Sequence, residues 1–216
     1  TLFRSAGCGP TCDHAKWIAE QKADGYEFHA SVGNVSDWDS TKAAFDHVKA
    51  AFGNPDILVN NAGITRDGVF RKMSLDDWRA VIDTNLNSMF NVTKQVIDGM
   101  LDKGWGRIIN ISSVNAVRGQ FGQTNYSAAK AAVDAMTVTW AKELARFGIR
   151  TGAIAPGFTA TEILQTIPAE TMDKLLSAVP LRRTGQPEEI AQAAQFIFEN
   201  DYFTGRCIEV DGGIRL

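Results

Sequence analysis

The sequence predicts an α/β fold, a single-domain doubly wound parallel sheet, and three observations carry that prediction. Short apolar runs bounded by Gly, Pro or Asn alternate with longer stretches at helical spacing along the whole chain. The run Ile108-Ile109-Asn110-Ile111 puts isoleucine on both sides of the strand, which suits a sheet covered on both faces. The polar clusters fall where the strand-like runs stop, and open α/β sheets bind ligands at those carboxyl ends, where the strand order reverses.

Taken in order, Asp13 to Asp24 reads as a helix and Tyr26 to Ala30 as a short strand. Ser36 opens a second helix, with Phe45, Val48 and Phe52 on one face, and Gly53-Asn54-Pro55 breaks it. Asp56 to Asn60 is a buried strand. Ser74 caps a long helix that runs to about Lys103, and Arg107 to Ser112 is the next strand. A second long helix spans about Gln123 to Phe147, then a strand from Ile149 to Ala155 ends at Pro156-Gly157. A helix from about Pro187 to Glu199 and a last strand near Cys207 to Val210 complete the pattern.

Composition narrows the function. With 216 residues, 44% of them hydrophobic, the chain is long enough for one well-filled core. A formal charge of -3 supplies no broad positive field, so neither nucleic acid nor an anionic membrane is an expected partner. No apolar run approaches the roughly 20 residues that span a bilayer, and no leader pattern is visible; the cytoplasm is the expected compartment. Cys8, Cys12 and Cys207 have no metal-ligand spacing and read as ordinary thiols, so no metal is expected. His14, His29 and His47 lie away from every cluster discussed below. Thr1 to Ser5 reads as adapter-encoded residues ahead of a truncated native chain.

Tyr126-Ser127-Ala128-Ala129-Lys130 lies in a helical pattern, and a four-residue step puts phenol and ammonium on one face. The ammonium is expected to lower the tyrosine pKa toward the range of a general acid/base. Upstream, Ser112-Ser113 ends a strand; Ser113 is placed to hydrogen-bond a substrate oxygen beside Tyr126, and Ser112 is an equally good turn or capping serine. Asn60-Asn61-Ala62-Gly63 ends the earlier strand with small residues that allow close approach of a flat ligand, or simply form a turn. Asn85 interrupts a helical run, where an amide is mildly unfavourable unless it has a task.

Together these features resemble the short-chain dehydrogenase/reductase family, over essentially the whole chain from Gly7. The resemblance implies a Rossmann-like, nicotinamide-dependent oxidoreductase with Asn85, Ser113, Tyr126 and Lys130 as catalytic tetrad. In that family's chemistry hydride reaches a ketone carbon, Tyr126 protonates the oxygen and Ser113 orients it. Lys130 holds the nicotinamide ribose, and Asn85 fixes a water that relays protons to Lys130. The resemblance places Asn34 and Val35 near adenine, Asn61, Ala62 and Gly63 along the cofactor, and Pro156, Gly157 and Thr161 around nicotinamide and phosphates. A homotetramer is implied as well. The family's first strand and glycine-rich phosphate loop find no match in Gly7-Cys8-Gly9, so the printed polypeptide is expected to bind cofactor poorly.

Within the family, the stretch from Gly33 to Tyr126 is most similar to reductases of acetoacetyl-CoA, which serve polyhydroxybutyrate synthesis. From Ile154 to Leu216 the chain is equally similar to reductases of 3-oxoacyl groups on acyl-carrier protein, which serve fatty-acid synthesis. Gln120, Phe121 and Gln123 are placed to hold a short 3-oxoacyl group, with Phe158 as an apolar wall, or to form a surface loop and a core aromatic. The expected cofactor is NADPH, with NADH as the alternative. A catalytically silent scaffold on the same fold is the reading from another class.

Overall fold

A computed structural model describes residues 14–161 and 169–215. The described elements run α1 (His14–Ala23), α2 (Trp38–Phe52), β1 (Ile57–Asn60), α3 (Leu75–Ile82), α4 (Ser88–Lys103), β2 (Gly106–Ile111), α5 (Asn115–Arg118), α6 (Thr124–Leu144), β3 (Ile149–Pro156), α7 (Ala169–Ser177), α8 (Pro187–Glu199) and β4 (Arg206–Val210). Cys8 and Cys12 lie outside the described residues, as do Thr1 to Ser5 and Gly7.

The strands form one parallel sheet in the order β1-β2-β3-β4. Helices cover both of its faces, as the isoleucines on both sides of β2 predicted. On one face Leu58, Ile108 and Ile149 pack with Phe45 of α2, with Val92, Val96 and Met100 of α4, and with Trp140 of α6. The alternate residues Val59, Ile109, Ile111 and Ile154 turn to the other face and pack against Ile190 and Ile197 of α8. Gly152 permits that approach, since a Cβ there would come within 2.7 Å of Ile197.

Several expectations shift. Residues Tyr26 to Ala30 are not a strand: no described strand pairs with them, and Phe28 instead packs its ring on Trp17 at 5.0 Å. The cap of α2 is Asp37, whose carboxylate accepts from the Ser40 amide at 2.7 Å, while Ser36 bonds back to Asn34. The sheet order among the described strands is sequential, so no reversal occurs among them. The long helix after Ser74 is capped as expected, Ser74 accepting from the Asp77 amide. It does not run unbroken to Lys103, however, because a wider π-helical turn at Asp83–Asn87 separates α3 from α4.

A buried polar ladder ties this frame together on the α4/α6 face. Asn60 donates to Thr93 of α4 at 3.1 Å and to Asn110 of β2 at 3.0 Å; Asn110 donates to Thr137 of α6 at 2.8 Å. Asn60 and Asn110 sit opposite each other in the β1/β2 register, so two strands and two helices are fixed by three bonds. Asn110→Ala is expected to destabilise the fold by about 1–3 kcal/mol, because the Asn60 amide and Thr137 lose a buried partner; the midpoint of urea unfolding measures it.

Candidate active site

The carboxyl ends of β1 and β2 and the first turns of α6 meet at one place. The helix start is positioned by Asn125, fully buried, whose amide donates to the carbonyls of Arg66 (3.1 Å) and Asp77 (3.2 Å) and whose oxygen accepts the Tyr126 amide at 2.8 Å. This satisfies one of the amides left open at a helix N-terminus and aims the next residue. Lys130, one turn later, brings its Nζ to 5.7 Å from the centre of the Tyr126 ring.

The two serines after β2 divide their roles. Ser112 turns inward and donates to the Lys130 carbonyl at 3.3 Å, whereas Ser113 forms a hydrogen bond with the Tyr126 hydroxyl and accepts the Asn115 amide at 3.2 Å. The Ser112 amide bonds Ile154 and the Val114 amide bonds Pro156, so the segment is locked to β3 on both sides of Ser113.

Lys130 is 4% exposed and its ammonium donates to the Ile111 carbonyl at 2.6 Å. Burial pushes its pKa down to about 8, against an opposing pull from Asp134. The expected effect on Tyr126 is reversed: burial raises the phenol above its ordinary value, the Ser113 hydrogen bond opposes this, and Asp67 raises it further. Desolvation of the phenolate therefore outweighs the Ser113 hydrogen bond in this arrangement, and the group whose pKa moves toward neutrality is the lysine.

Asn85 sits in the π-helical turn, fully buried. Its oxygen accepts the Ile64 amide at 2.8 Å and its nitrogen donates to the Ile64 carbonyl at 2.9 Å, which pins the loop following β1. That is its task within the helical run. On that loop Ala62 is buried, and Asn61 and Gly63 face solvent. A Cβ on Gly63 would stand 3.6 Å from Asn85 Oδ1 and 3.8 Å from Lys130 Nζ, so the missing side chain leaves a bare backbone surface beside the lysine.

The remaining predicted residues are more dispersed. Gln123 joins a chain across the mouth: Asn115 donates to its oxygen at 3.0 Å, and its amide donates to Asp67 at 2.9 Å. Gln120 accepts from Arg118 at 3.1 Å, and Phe121 is 86% exposed. Phe158 packs with Val114, Val179 and Ile214, next in sequence to the Ser113 position. Pro156 ends β3; the Gly157 amide bonds Val210, and a Cβ on Gly157 would collide with Asp211 at 2.8 Å, so this glycine answers to packing of the C-terminal segment. Thr161 is exposed at the last described position before residue 169. Asn34 is occupied in its own turn, accepting from Ser36, and the carbonyl of Val35 is held by Asn91 of α4 at 3.0 Å. Sequence reasoning missed Asn125, Asn115 and Asp67. Asn125 carried a signal, an amide directly ahead of a helical tyrosine; the other two had none.

Among the described residues no group of three or more His, Cys, Asp or Glu could hold a metal ion, and no helix is long and apolar enough to cross a membrane. A bare glycine surface, a buried ammonium and a phenol paired with a serine hydroxyl fit a nicotinamide cofactor: the flat ring needs backbone-close contact and the ribose hydroxyls need a donor. The fold and site thus define an oxidoreductase built on a Rossmann-like sheet.

The chain belongs to the short-chain dehydrogenase family, whose model matches residues 6–171. It is 53% identical over 214 residues to an acetoacetyl-CoA reductase of Cupriavidus necator, covering 98% of this chain and 87% of that protein. A 3-oxoacyl-acyl-carrier-protein reductase of Thermotoga maritima is 47% identical over 185 residues, covering 85% and 75%. A gluconate 5-dehydrogenase of Burkholderia cenocepacia, solved with NADP and tartrate, superposes with a TM-score of 0.88 at 34% identity, covering 93% and 80%.

The lowered Lys130 pKa has a thermodynamic signature. Between about 8 and 10.5 the unfolded lysine holds a proton that the folded one has lost, so this group makes stability rise with pH across that window. The Cys207 thiol, pushed up to about 12, acts in the opposite sense above its ordinary 9.0. The difference between the native protein and Lys130→Met isolates the lysine: the variant is expected to be relatively more stable below pH 8, with the advantage shrinking as pH rises. Thermal unfolding of both from pH 7 to 10.5 measures this.

Proposed function

We propose that the protein reduces short 3-oxoacyl thioesters, acetoacetyl-CoA to 3-hydroxybutanoyl-CoA, with NADPH. The observation that carries this reading is the meeting of Ser113, Tyr126 and Lys130 at the carboxyl ends of β1 and β2. The nicotinamide, when bound, supplies hydride for the 3-carbonyl carbon. Ser113 and Tyr126 together present two hydroxyls to the carbonyl oxygen, and Tyr126 transfers its proton there as negative charge develops. The phenolate left behind is stabilised by the Lys130 ammonium, which at a pKa of about 8 is protonated at neutral pH yet acidic enough to return a proton to the tyrosine. Asn61, Ala62 and Gly63, on the loop pinned through Asn85, would hold the cofactor, with Asn34 and Val35 for its adenine and Pro156, Gly157 and Thr161 for its nicotinamide and phosphates, as the family resemblance implies.

Gln120, Phe121, Gln123 and Phe158 shape the acyl site. The chain Asn115–Gln123–Asp67 fixes Gln123 at the mouth, and exposed Phe121 offers an apolar surface to the thioester arm. Identity to the acetoacetyl-CoA reductase supports CoA as the carrier, and the solved relative holding NADP supports the phosphorylated cofactor. The protein acts in the cytoplasm as a homotetramer.

The test is oxidation of NADPH and of NADH by the complete gene product with acetoacetyl-CoA, a longer 3-oxoacyl-CoA, and a 3-oxoacyl-carrier protein. Preferred turnover of acetoacetyl-CoA with NADPH is expected, and Tyr126→Phe is expected to lower kcat about 100-fold or more through loss of the proton donor. Preference for the carrier-protein substrate would move the enzyme to fatty-acid synthesis. Cofactor binding without turnover of any of the three would favour a silent scaffold.

A further inference from the structure

Asn115, the first residue of α5, joins three segments at the mouth of the site. Its backbone amide donates to Ser113 Oγ at 3.2 Å. Its side-chain amide donates to Gln123 Oε1 at 3.0 Å, and Gln123 Nε2 donates to Asp67 Oδ2 at 2.9 Å. The backbone already brings the outer two segments into contact: the Gly68 amide bonds the Gly122 carbonyl at 2.9 Å, one residue along from Asp67 and one before Gln123. Gln123 in turn accepts the Ser127 amide at 2.8 Å and so belongs to the first turn of the helix that carries Tyr126.

A row of side-chain amides can in general be turned over, because the two ends of each amide differ only in which atom donates. This row has one polarity. A carboxylate only accepts, so Asp67 requires the nitrogen of Gln123; the oxygen of Gln123 is then left for Asn115, which meets it with nitrogen. Asn115 Oδ1 is thereby turned away, and it is buried without a partner. An unpaired buried acceptor is costly, and the cost marks the orientation as imposed from Asp67 rather than favoured by Asn115 alone.

From this geometry we infer that Asn115 is a positioning residue of the reductase: Asp67 holds its amide in one orientation through Gln123, and Asn115 so held fixes Ser113 relative to Tyr126. The inference rests on the reading of Ser113 and Tyr126 as the pair that meets the carbonyl oxygen. The Asn115 backbone amide occupies a lone pair of Ser113 Oγ and leaves the hydroxyl hydrogen free to point onward, while the Asn115 side chain ties the same turn to the start of α6. A displacement of Asn115 therefore changes the separation of two hydroxyls that act on one atom, where small misplacements cost rate.

The test reverses the polarity in the complete gene product. Asn115→Asp sets an oxygen against Gln123 Oε1, and kcat for acetoacetyl-CoA is expected to fall about tenfold or more, with the NADPH KM little changed. Asp67→Asn still offers an oxygen to Gln123 and is expected to keep kcat within about threefold of native. Combining the two substitutions lets Gln123 turn over, with position 67 now donating and position 115 accepting at the same total charge; kcat is expected to return to the level of Asp67→Asn. A double variant no more active than Asn115→Asp overturns the inference. The solvent deuterium isotope effect on kcat is expected to rise in Asn115→Asp and to return in the double variant, as proton transfer is impaired and restored. A merely structural role lowers the active fraction and leaves that isotope effect unmoved, which also overturns the inference. Should the native protein reduce none of the 3-oxoacyl substrates, the proposed function fails, but thermal unfolding still reads the polarity: the melting temperature lost in Asn115→Asp is expected to be regained in the double variant, and additive losses overturn the inference.

Discussion

The burial of one ammonium group organises this molecule. Lys130 is almost wholly removed from water, and a charge so placed is tolerable only where fixed oxygen atoms replace its hydration. The Ile111 carbonyl does so at 2.6 Å, at the last residue of β2. That single bond ties the middle of α6 to the end of the sheet. It also fixes Tyr126, one turn earlier, over Ser113, and leaves the lysine beside the bare surface of Gly63.

Much of the surrounding structure holds this arrangement in register. The parallel sheet supplies adjacent carboxyl ends, and its two apolar faces are covered by α2, α4 and α6 on one side and α8 on the other. The ladder Thr93–Asn60–Asn110–Thr137 sets the height of α4 and α6 against β1 and β2 through directional bonds, which apolar packing alone does not provide. At the opposite end of the sheet, Arg150 reaches the carbonyls at the end of α8 and shares Asp201 with Arg107, so the covering helix on the second face is also tied by directional contacts.

The π-helical turn illustrates how a locally costly feature is kept for a site. A continuous helix from Ser74 to Lys103 would be the simpler chain path, but the wider turn at Asp83–Asn87 carries Asn85, whose two bonds close on the backbone of Ile64. Such turns recur at functional sites. Here the turn converts a poor helix residue into the clamp for the loop that follows β1.

The sequence by itself determined most of the kinds of element and the spacing of the candidate reacting groups. Apolar periodicity is a local property, so α6, α8, β2 and β3 were legible to within a few residues, and the four-residue step from Tyr126 to Lys130 followed from helix geometry alone. Only the tertiary structure decided which of two adjacent serines faces the tyrosine, that Tyr26 to Ala30 lacks a strand partner, and that Asn125, Asn115 and Asp67 build the mouth of the site. It also reversed the expected tyrosine pKa shift. Spacing along a helix reports which charges are near one another, but the cost of burying them depends on what the rest of the chain packs on top, and that is set by contacts remote in sequence.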